Sequence, residues 1–154
     1  MRRRGRDEDQ DFDPQEVLYH RVTAATLHLM ENGGVYLSVR VPDVSCNRSK
    51  HGGLWDDVLL CNYPANVNAG VVEFAVSDVP SRHDRDNADP IHFRTCHDPL
   101  EDNYYHCEIR FFRGAANAQR MTKNVPDPTK TWFRADLSSR LSVEKNLRKR
   151  PAGM

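Results

Sequence analysis

The feature that most constrains the fold is a two-residue alternation of apolar side chains, which recurs in separate segments of this 154-residue chain. It runs through VYLSVRV at 35–41, GVVEFAV at 70–76, IHFRTC at 91–96 and HCEIRFF at 106–112. Because successive side chains of a strand point to opposite faces, each segment is expected to bury one face. The segment VLYHRV at 17–22 predicts a further strand, and a sheet with one apolar face follows from the set.

Helical patterns are fewer. TAATLHLMENGG at 23–34 predicts a short helix capped by Thr23, and LWDDVLLCNY at 54–63 predicts another. In TWFRADLSSRL, Phe133, Leu137 and Leu141 recur every four residues, which indicates an amphipathic helix late in the chain. Strands with few helices, one of which comes last, predict an α+β fold around a mixed or antiparallel sheet.

Two polar segments between these elements are predicted to be loops. They are PDVSCNRSKHGGLWDD at 42–57 and SDVPSRHDRDNADP at 77–90. Four cysteines show no CxxC spacing and are expected to be free thiols: Cys46, Cys61, Cys96 and Cys107.

The length fits a single domain. Residues 1–16 mix four arginines with six acidic residues and predict a disordered tail, 17–144 the globular domain, and 145–154 a basic tail. No apolar run approaches the roughly 20 residues of a membrane helix. The first arginines are followed by acidic residues rather than an apolar signal core, so a cytoplasmic protein without membrane contact is expected.

The net charge of zero conceals an asymmetry. Residues 109–154 hold eleven Lys or Arg against three acidic residues, which leaves +8 there and −8 in the remainder. This excess predicts a nucleic acid or an acidic protein surface as partner. Alternatively, the basic end docks on the acidic part of the same chain or of a second copy in a homo-oligomer.

The segment HDPLEDNYYHCEI at 97–109 is the leading candidate site. If the flanking segments form a hairpin, the outward residues of both strands share one surface: His92, Arg94, Cys96, His106, Glu108 and Arg110. Arginines bind phosphate oxygens and histidine titrates near neutrality, so this surface suits a phosphate or another anion. His106, Glu108 and His97 are the predicted catalytic residues, and Arg94, Arg110 and Asn103 are predicted to bind.

Two alternatives stay open for the same segment. His97, His106 and Glu108 could surround a divalent ion if the loop folds His97 back toward the other two residues. Otherwise the segment is a solvated sheet face with ion-paired charges, joined by a polar turn that Asp98, Pro99 and Asn103 stabilise.

A second candidate site is SCNRSKHGG at 45–53. Asn47, Arg48 and Lys50 precede two glycines and could wrap an anion with side-chain and backbone donors. The segment lacks the GxxxxGK[ST] order of a nucleotide P-loop, and a plain basic loop is the alternative.

Two resemblances concern larger parts of the chain. His20 or Arg21, Tyr36 or Ser38, and Glu108 resemble the layout of ADP-ribosyltransferase-like domains, which hold a nicotinamide dinucleotide between two sheets. LYHRV, VSCNRSK and HDPLEDNYYHCEI resemble segments of a group of short, uncharacterised bacterial hypothetical proteins. The second resemblance spans 17–150, implies a single domain and matches its pattern at His97, Pro99, Asn103, His106 and Glu108. It implies no activity.

Together these patterns predict a small binding or regulatory protein with a phosphate- or anion-binding surface. The alternative is a small enzyme that uses His106 and Glu108 on a nucleotide or nucleic acid, by phosphodiester hydrolysis or ADP-ribosyltransferase-like chemistry. The sequence does not identify a cofactor.

Overall fold

The computed structural model describes residues 8–60, 64–114 and 119–154, which form one α+β domain, as predicted. The strands are β1 Val17–Val22, β2 Leu27–Leu29, β3 Val35–Leu37, β4 Val44–Arg48, β5 Gly70–Ala75, β6 Arg82–Arg85, β7 Ala88–His97, β8 His106–Arg113, β9 Gln119–Met121 and β10 Leu147–Lys149. The helices are α1 Asp57–Leu60, α2 Asp127–Ser138 and α3 Val143–Asn146. Short 3-10 turns lie at Lys50–Gly52 and Val76–Asp78.

The main sheet has the order β10-β5-β1-β4-β8-β7-β6, and all its strand pairs are antiparallel. Strand β9 pairs with the distal half of β8, on the same side as β4, while β2 and β3 form a separate hairpin. The predicted hairpin of 91–96 with 106–112 is confirmed as β7 and β8, with Arg94 opposite Arg110 and Cys96 opposite Glu108.

The core lies on one face of this sheet, under α2 and the β2–β3 hairpin. The Phe133 ring of α2 has its centroid 4.8 Å from that of Phe93 and 5.0 Å from that of Phe111. The amphipathic helix predicted from Phe133, Leu137 and Leu141 is therefore confirmed as α2, in which Phe133 and Leu137 are fully buried. Leu141 is also buried but lies beyond the helix end at Ser138. On the opposite face, α1 packs beside β1 and β4, and its Leu59 joins Val71 of β5 in a second apolar cluster.

The helix predicted at 23–34 is wrong, because this segment forms a turn followed by β2. The Thr23 carbonyl accepts the N–H groups of Thr26 and Leu27, and Leu27 then pairs with Leu37 across the hairpin. Gly33, with a φ of 85°, supplies the left-handed turn between the two strands. The strand predicted over 35–41 correspondingly ends at Leu37.

Both predicted loops contain strands, β4 in the first and β6 in the second. Strand β4 is central, although its sequence VSCNR carries several polar residues. Tertiary partners explain this, because Arg48 is fully buried against Glu16, and Asn47 against Asn103. Local composition cannot reveal such partners.

Each predicted tail includes residues that pack on the domain. Residues 8–16, predicted to be disordered, bond to the buried Arg48 and His97, while 1–7 lie outside the described residues. Strand β10, in the predicted basic tail, pairs with β5. Cys46, Cys96 and Cys107 are buried free thiols, and Cys61 is not among the described residues. Within the described part of the chain, no helix is long and apolar enough to cross a membrane.

Candidate functional site

The polar face of the sheet brings together Ser45 of β4, His106 of β8 and Asp98 of the loop between β7 and β8. Asn47 lies opposite His106 and Ser45 lies opposite Glu108, so all four side chains share this face. The His106 ring leans toward Ser45, and its Nε2 lies 2.8 Å from Ser45 Oγ. This contact joins residues that are 61 positions apart in the chain.

The other ring nitrogen of His106 faces Asp98. Its Nδ1 lies 2.9 Å from the Asp98 carbonyl oxygen and 3.3 Å from carboxylate Oδ2. A backbone carbonyl oxygen and an ionised carboxylate oxygen can only accept hydrogen bonds. In the neutral ring, Nδ1 therefore carries the proton. The lone pair is then on Nε2, where it accepts the Ser45 hydroxyl proton. The geometry thus fixes both the tautomer and the direction of the hydrogen bond.

Arg110 connects the neighbouring carboxylates. Its Nη2 lies 2.9 Å from Glu108 Oε1 and 3.6 Å from Asp98 Oδ1, and Arg120 Nη2 is 3.5 Å from the same Glu108 oxygen. Partial burial acts to lower the pKa of Arg110, but Glu108 and Asp98 outweigh it and raise that pKa overall. Arg110 and Arg120 therefore both contact the Glu108 carboxylate, so Glu108 helps to position the site and is not a free base.

Asp98, His106 and Glu108 also offer ligand atoms within 4.8 Å of one another. Two arginines already contact the Glu108 carboxylate, so a divalent cation would have to displace guanidinium groups or share the oxygen with them. His106 uses both ring nitrogens as well. The donor set therefore fits a metal poorly.

His97 lies away from this cluster. It is opposite Cys107, on the core face, so the alternative metal set of His97, His106 and Glu108 is wrong. Its Nδ1 accepts the Asp9 N–H at 2.8 Å, and its Nε2 donates to the Tyr104 carbonyl at 2.7 Å. Burial lowers the pKa of His97, in keeping with a neutral ring that fastens the N-terminal segment.

The other predicted binding residues do not converge on one anion site. Asn103 Nδ2 donates to Asn47 Oδ1 at 2.7 Å, and both side chains are buried. Lys50 pairs with Asp9 at 2.8 Å. Arg48 is buried with Glu16, whereas Arg94 remains exposed on the polar face with its guanidinium 4.2 Å from the Phe112 ring centroid.

The predicted ADP-ribosyltransferase-like set is also dispersed. Tyr36 lies in the separate β2–β3 hairpin, and Ser38 Oγ bonds to His28 there at 2.9 Å. Glu108 lies on the polar face of the main sheet, on the side away from the core that this hairpin covers.

Beside Ser45 lies a groove that sequence reasoning missed. Strands β1 and β4 pair only at Leu18 with Arg48 and at Tyr19 with Asn47, and then separate. The opening is a cavity of about 570 Å³. We call it the basic groove; its polar and charged lining residues are His20, Arg21, Arg40, Asp43, Ser45, Thr122, Lys123, Asn124 and Lys130.

The basic groove has four cationic side chains and one carboxylate in its lining. Asp43 is paired with Arg120 at 3.3 Å, and Lys130 lies 3.6 Å from Asp127. Within the described parts of the chain, no acidic group forms an ion pair with Arg21, Arg40 or Lys123. Arg21, Arg40 and Lys123 come from separate segments, so no local motif marks them, and the basic excess after residue 108 includes only Lys123 of the three.

Comparison with known proteins gives no matching family model, no matching curated protein and no matching solved structure.

Proposed function

We propose that this protein binds a small phosphate-bearing ligand in the basic groove. The observation that carries this proposal is the set of four cationic side chains around one cavity, of which Arg21, Arg40 and Lys123 form no ion pair with a described residue. Uncompensated positive charge in a concave site raises the local concentration of anions and strengthens their binding.

The chemistry of the lining favours phosphate. Arginine can bind two phosphate oxygens at once and lysine acts as a mobile point charge, so the groove offers both modes. Thr122 and Asn124 add neutral side chains that can bond to the rest of a ligand. The volume of about 570 Å³ suits a small molecule.

The test is a titration of the protein with inorganic phosphate and pyrophosphate, followed by NMR of the backbone amides. Shifts are expected at residues 20–21, 40–45 and 122–124. A variant with Arg21→Gln and Lys123→Gln is expected to bind about tenfold more weakly or worse, because two cations leave the groove.

The matched control is a variant with Arg113→Gln and Lys145→Gln, since both residues are exposed and lie outside the groove lining. It removes the same net charge and is expected to bind phosphate like the wild type. Equal loss in both variants, or shifts spread evenly over the basic surface, would contradict a specific site.

Binding of a nucleic acid or an acidic protein by the basic C-terminal residues remains a prediction. Two of their cationic groups are already engaged: Arg148 pairs with Glu73 at 3.2 Å, and Lys149 Nζ donates to the Val67 carbonyl at 2.8 Å. This favours a small ligand in the groove over a polyanion along the tail. A polyanion would instead give a steep salt dependence that Lys145 and Arg150 control.

A further inference from the structure

We propose that Ser45 is the nucleophile of an acyl-transfer site, with His106 as general base and Asp98 as the residue that orients it. The substrate class is a carboxylic ester whose remaining part carries an anionic group. Only that anionic part rests on the proposed function of the basic groove.

The three side chains have the mutual geometry that nucleophilic catalysis requires. The Ser45 hydroxyl donates to His106 Nε2 at 2.8 Å, and the opposite ring nitrogen donates to Asp98. A nucleophile bonded to a base, which a third group holds in one tautomer, is the recognisable pattern of activated serines on unrelated folds. Here the pattern spans β4, β8 and the connecting loop.

The accessibility of each residue fits its role. Ser45 is exposed and lines the basic groove, so a bound ligand can reach its Oγ. The His106 and Asp98 side chains are only 13% and 24% exposed, which limits their motion. His20 Nδ1 donates to the Ser45 carbonyl at 2.7 Å and fixes the backbone of the nucleophile at the point where β1 and β4 diverge.

The reaction proceeds in two balanced steps. Ser45 Oγ attacks the ester carbonyl carbon, and its proton passes to His106 Nε2. The ester C–O bond then breaks, and the alcohol oxygen leaves with that proton. Water next attacks the acyl-serine, gives a proton to His106, and releases the carboxylic acid while Ser45 Oγ recovers the proton.

The surrounding charges assist both steps. The Asp98 carboxylate stabilises the imidazolium that forms on His106, and Arg110 holds that carboxylate in place from 3.6 Å. Cationic side chains in the same groove supply positive potential for the oxyanion of the tetrahedral intermediate. The positive charge of the basic groove therefore lies where a reaction at Ser45 and His106 develops negative charge.

The first test uses a neutral alkyl fluorophosphonate, which labels activated serines. Ser45 Oγ bonds to phosphorus, the P–F bond breaks, and fluoride leaves as the hydroxyl proton moves to His106. Mass spectrometry is expected to find one adduct, on the peptide that contains Ser45. Ser45→Ala is expected to abolish labelling, whereas Ser77→Ala, at another exposed serine, leaves it unchanged.

The rate of labelling tests the base. His106→Gln is expected to slow it by about 100-fold or more, because the base is removed, and Asp98→Asn by roughly tenfold or more, because the imidazolium loses the neighbouring carboxylate charge. In the wild type, which needs no variant to fold, the adduct is expected on Ser45 and not on Ser77. Labelling of Ser45→Ala at the wild-type rate, or a wild-type adduct on another residue, would overturn the proposal.

The groove variant Arg21→Gln with Lys123→Gln separates this inference from the proposed function. For this variant, the ratio of the hydrolysis rate of the mono-p-nitrophenyl ester of succinic acid to that of neutral p-nitrophenyl acetate is expected to fall about tenfold or more relative to the wild type, because only the first ester carries an anionic group. If phosphate binds in the groove and Ser45 is never labelled, only the nucleophile proposal fails. If Ser45 is labelled and phosphate does not bind, only the groove proposal fails.

Discussion

The guanidinium of Arg48 and the carboxylate of Glu16 form a bidentate ion pair inside the protein, with Nε–Oε2 and Nη2–Oε1 distances of 2.9 Å. The Arg48 side chain is fully buried and that of Glu16 is 6% exposed. Arg48 also donates to the Asp9 and Asp11 carbonyls, and it lies 3.9 Å from the centroid of the Phe12 ring. The Arg48 side chain therefore links the segment 8–16 to central strand β4, in addition to the bond between Asp9 and His97.

Glu16→Gln is expected to lower the free energy of unfolding by about 3–5 kcal/mol, because it leaves the Arg48 charge buried without a counter-ion. Urea denaturation followed by circular dichroism measures this change. The double variant Glu16→Gln with Arg48→Met is expected to lose less than the sum of the two single variants, since neither charge remains. A loss below about 0.5 kcal/mol for Glu16→Gln would show that the pair does not stabilise the fold.

His97 is expected to make the stability of the protein depend on pH. Burial lowers its native pKa, so the unfolded chain binds a proton more readily. The free energy of unfolding is thus expected to be greatest above the unfolded pKa of about 6.5 and to decrease as the pH falls through the lower native value. Protonation also removes the acceptor for the Asp9 N–H.

The measurement for His97 is the urea midpoint between about pH 5 and 8. His97→Gln, which keeps one donor and one acceptor, is expected to show a smaller decrease toward acid. The comparison between the two proteins is needed because burial also lowers the pKa of His20, which both retain. Identical pH profiles would assign the dependence to another group.

Gly70→Ala is expected to detach β10 from β5. A Cβ at this position would lie 2.4 Å from the Lys149 carbonyl oxygen and 2.6 Å from the Pro151 ring, so the backbone has to move. We expect a loss of about 1–3 kcal/mol and faster hydrogen exchange in residues 147–152. Arg150→Ala, an exposed position in the same segment, is the control. Unchanged exchange in the Gly70 variant would contradict the close approach.

Phe133→Ala is expected to lower the free energy of unfolding by about 3–5 kcal/mol, because the ring is fully buried between α2 and the sheet. Thr131→Ala, at an exposed position of the same helix, should change it by no more than about 0.5 kcal/mol. Thermal and urea unfolding measure both. Similar small effects for the two variants would mean that α2 does not cover the core.

Much of the fold could be predicted from local patterns. The alternation in 91–96 and 106–112 predicted the central hairpin and the division of its faces, because side-chain direction in a strand repeats every two residues. The four-residue spacing of Phe133 and Leu137 likewise predicted α2. The apolar pattern of TAATLHL suits either a helix or a strand. The helix prediction was wrong there, because Leu27 pairs with Leu37 in the β2–β3 hairpin.

Of the candidate site, the sequence placed His106, Glu108 and Arg110 correctly on one outward face. It did not reveal that Ser45 reaches His106, because the strand order that puts β4 beside β8 is a long-range property. The basic groove was missed for the same reason, since it exists only where β1 and β4 separate.

By itself, the sequence determined the α+β class and the apolar and polar faces of the main hairpin, since these depend on local periodicity. Only the tertiary structure decided which polar residues are buried. Arg48, Asn47 and His97 are residue types that often occur in binding and catalytic sites. Each of these side chains is nevertheless buried against a partner that lies far away in the sequence. A buried polar group is stable only where specific donors and acceptors surround it, and those partners exist only once the chain has folded.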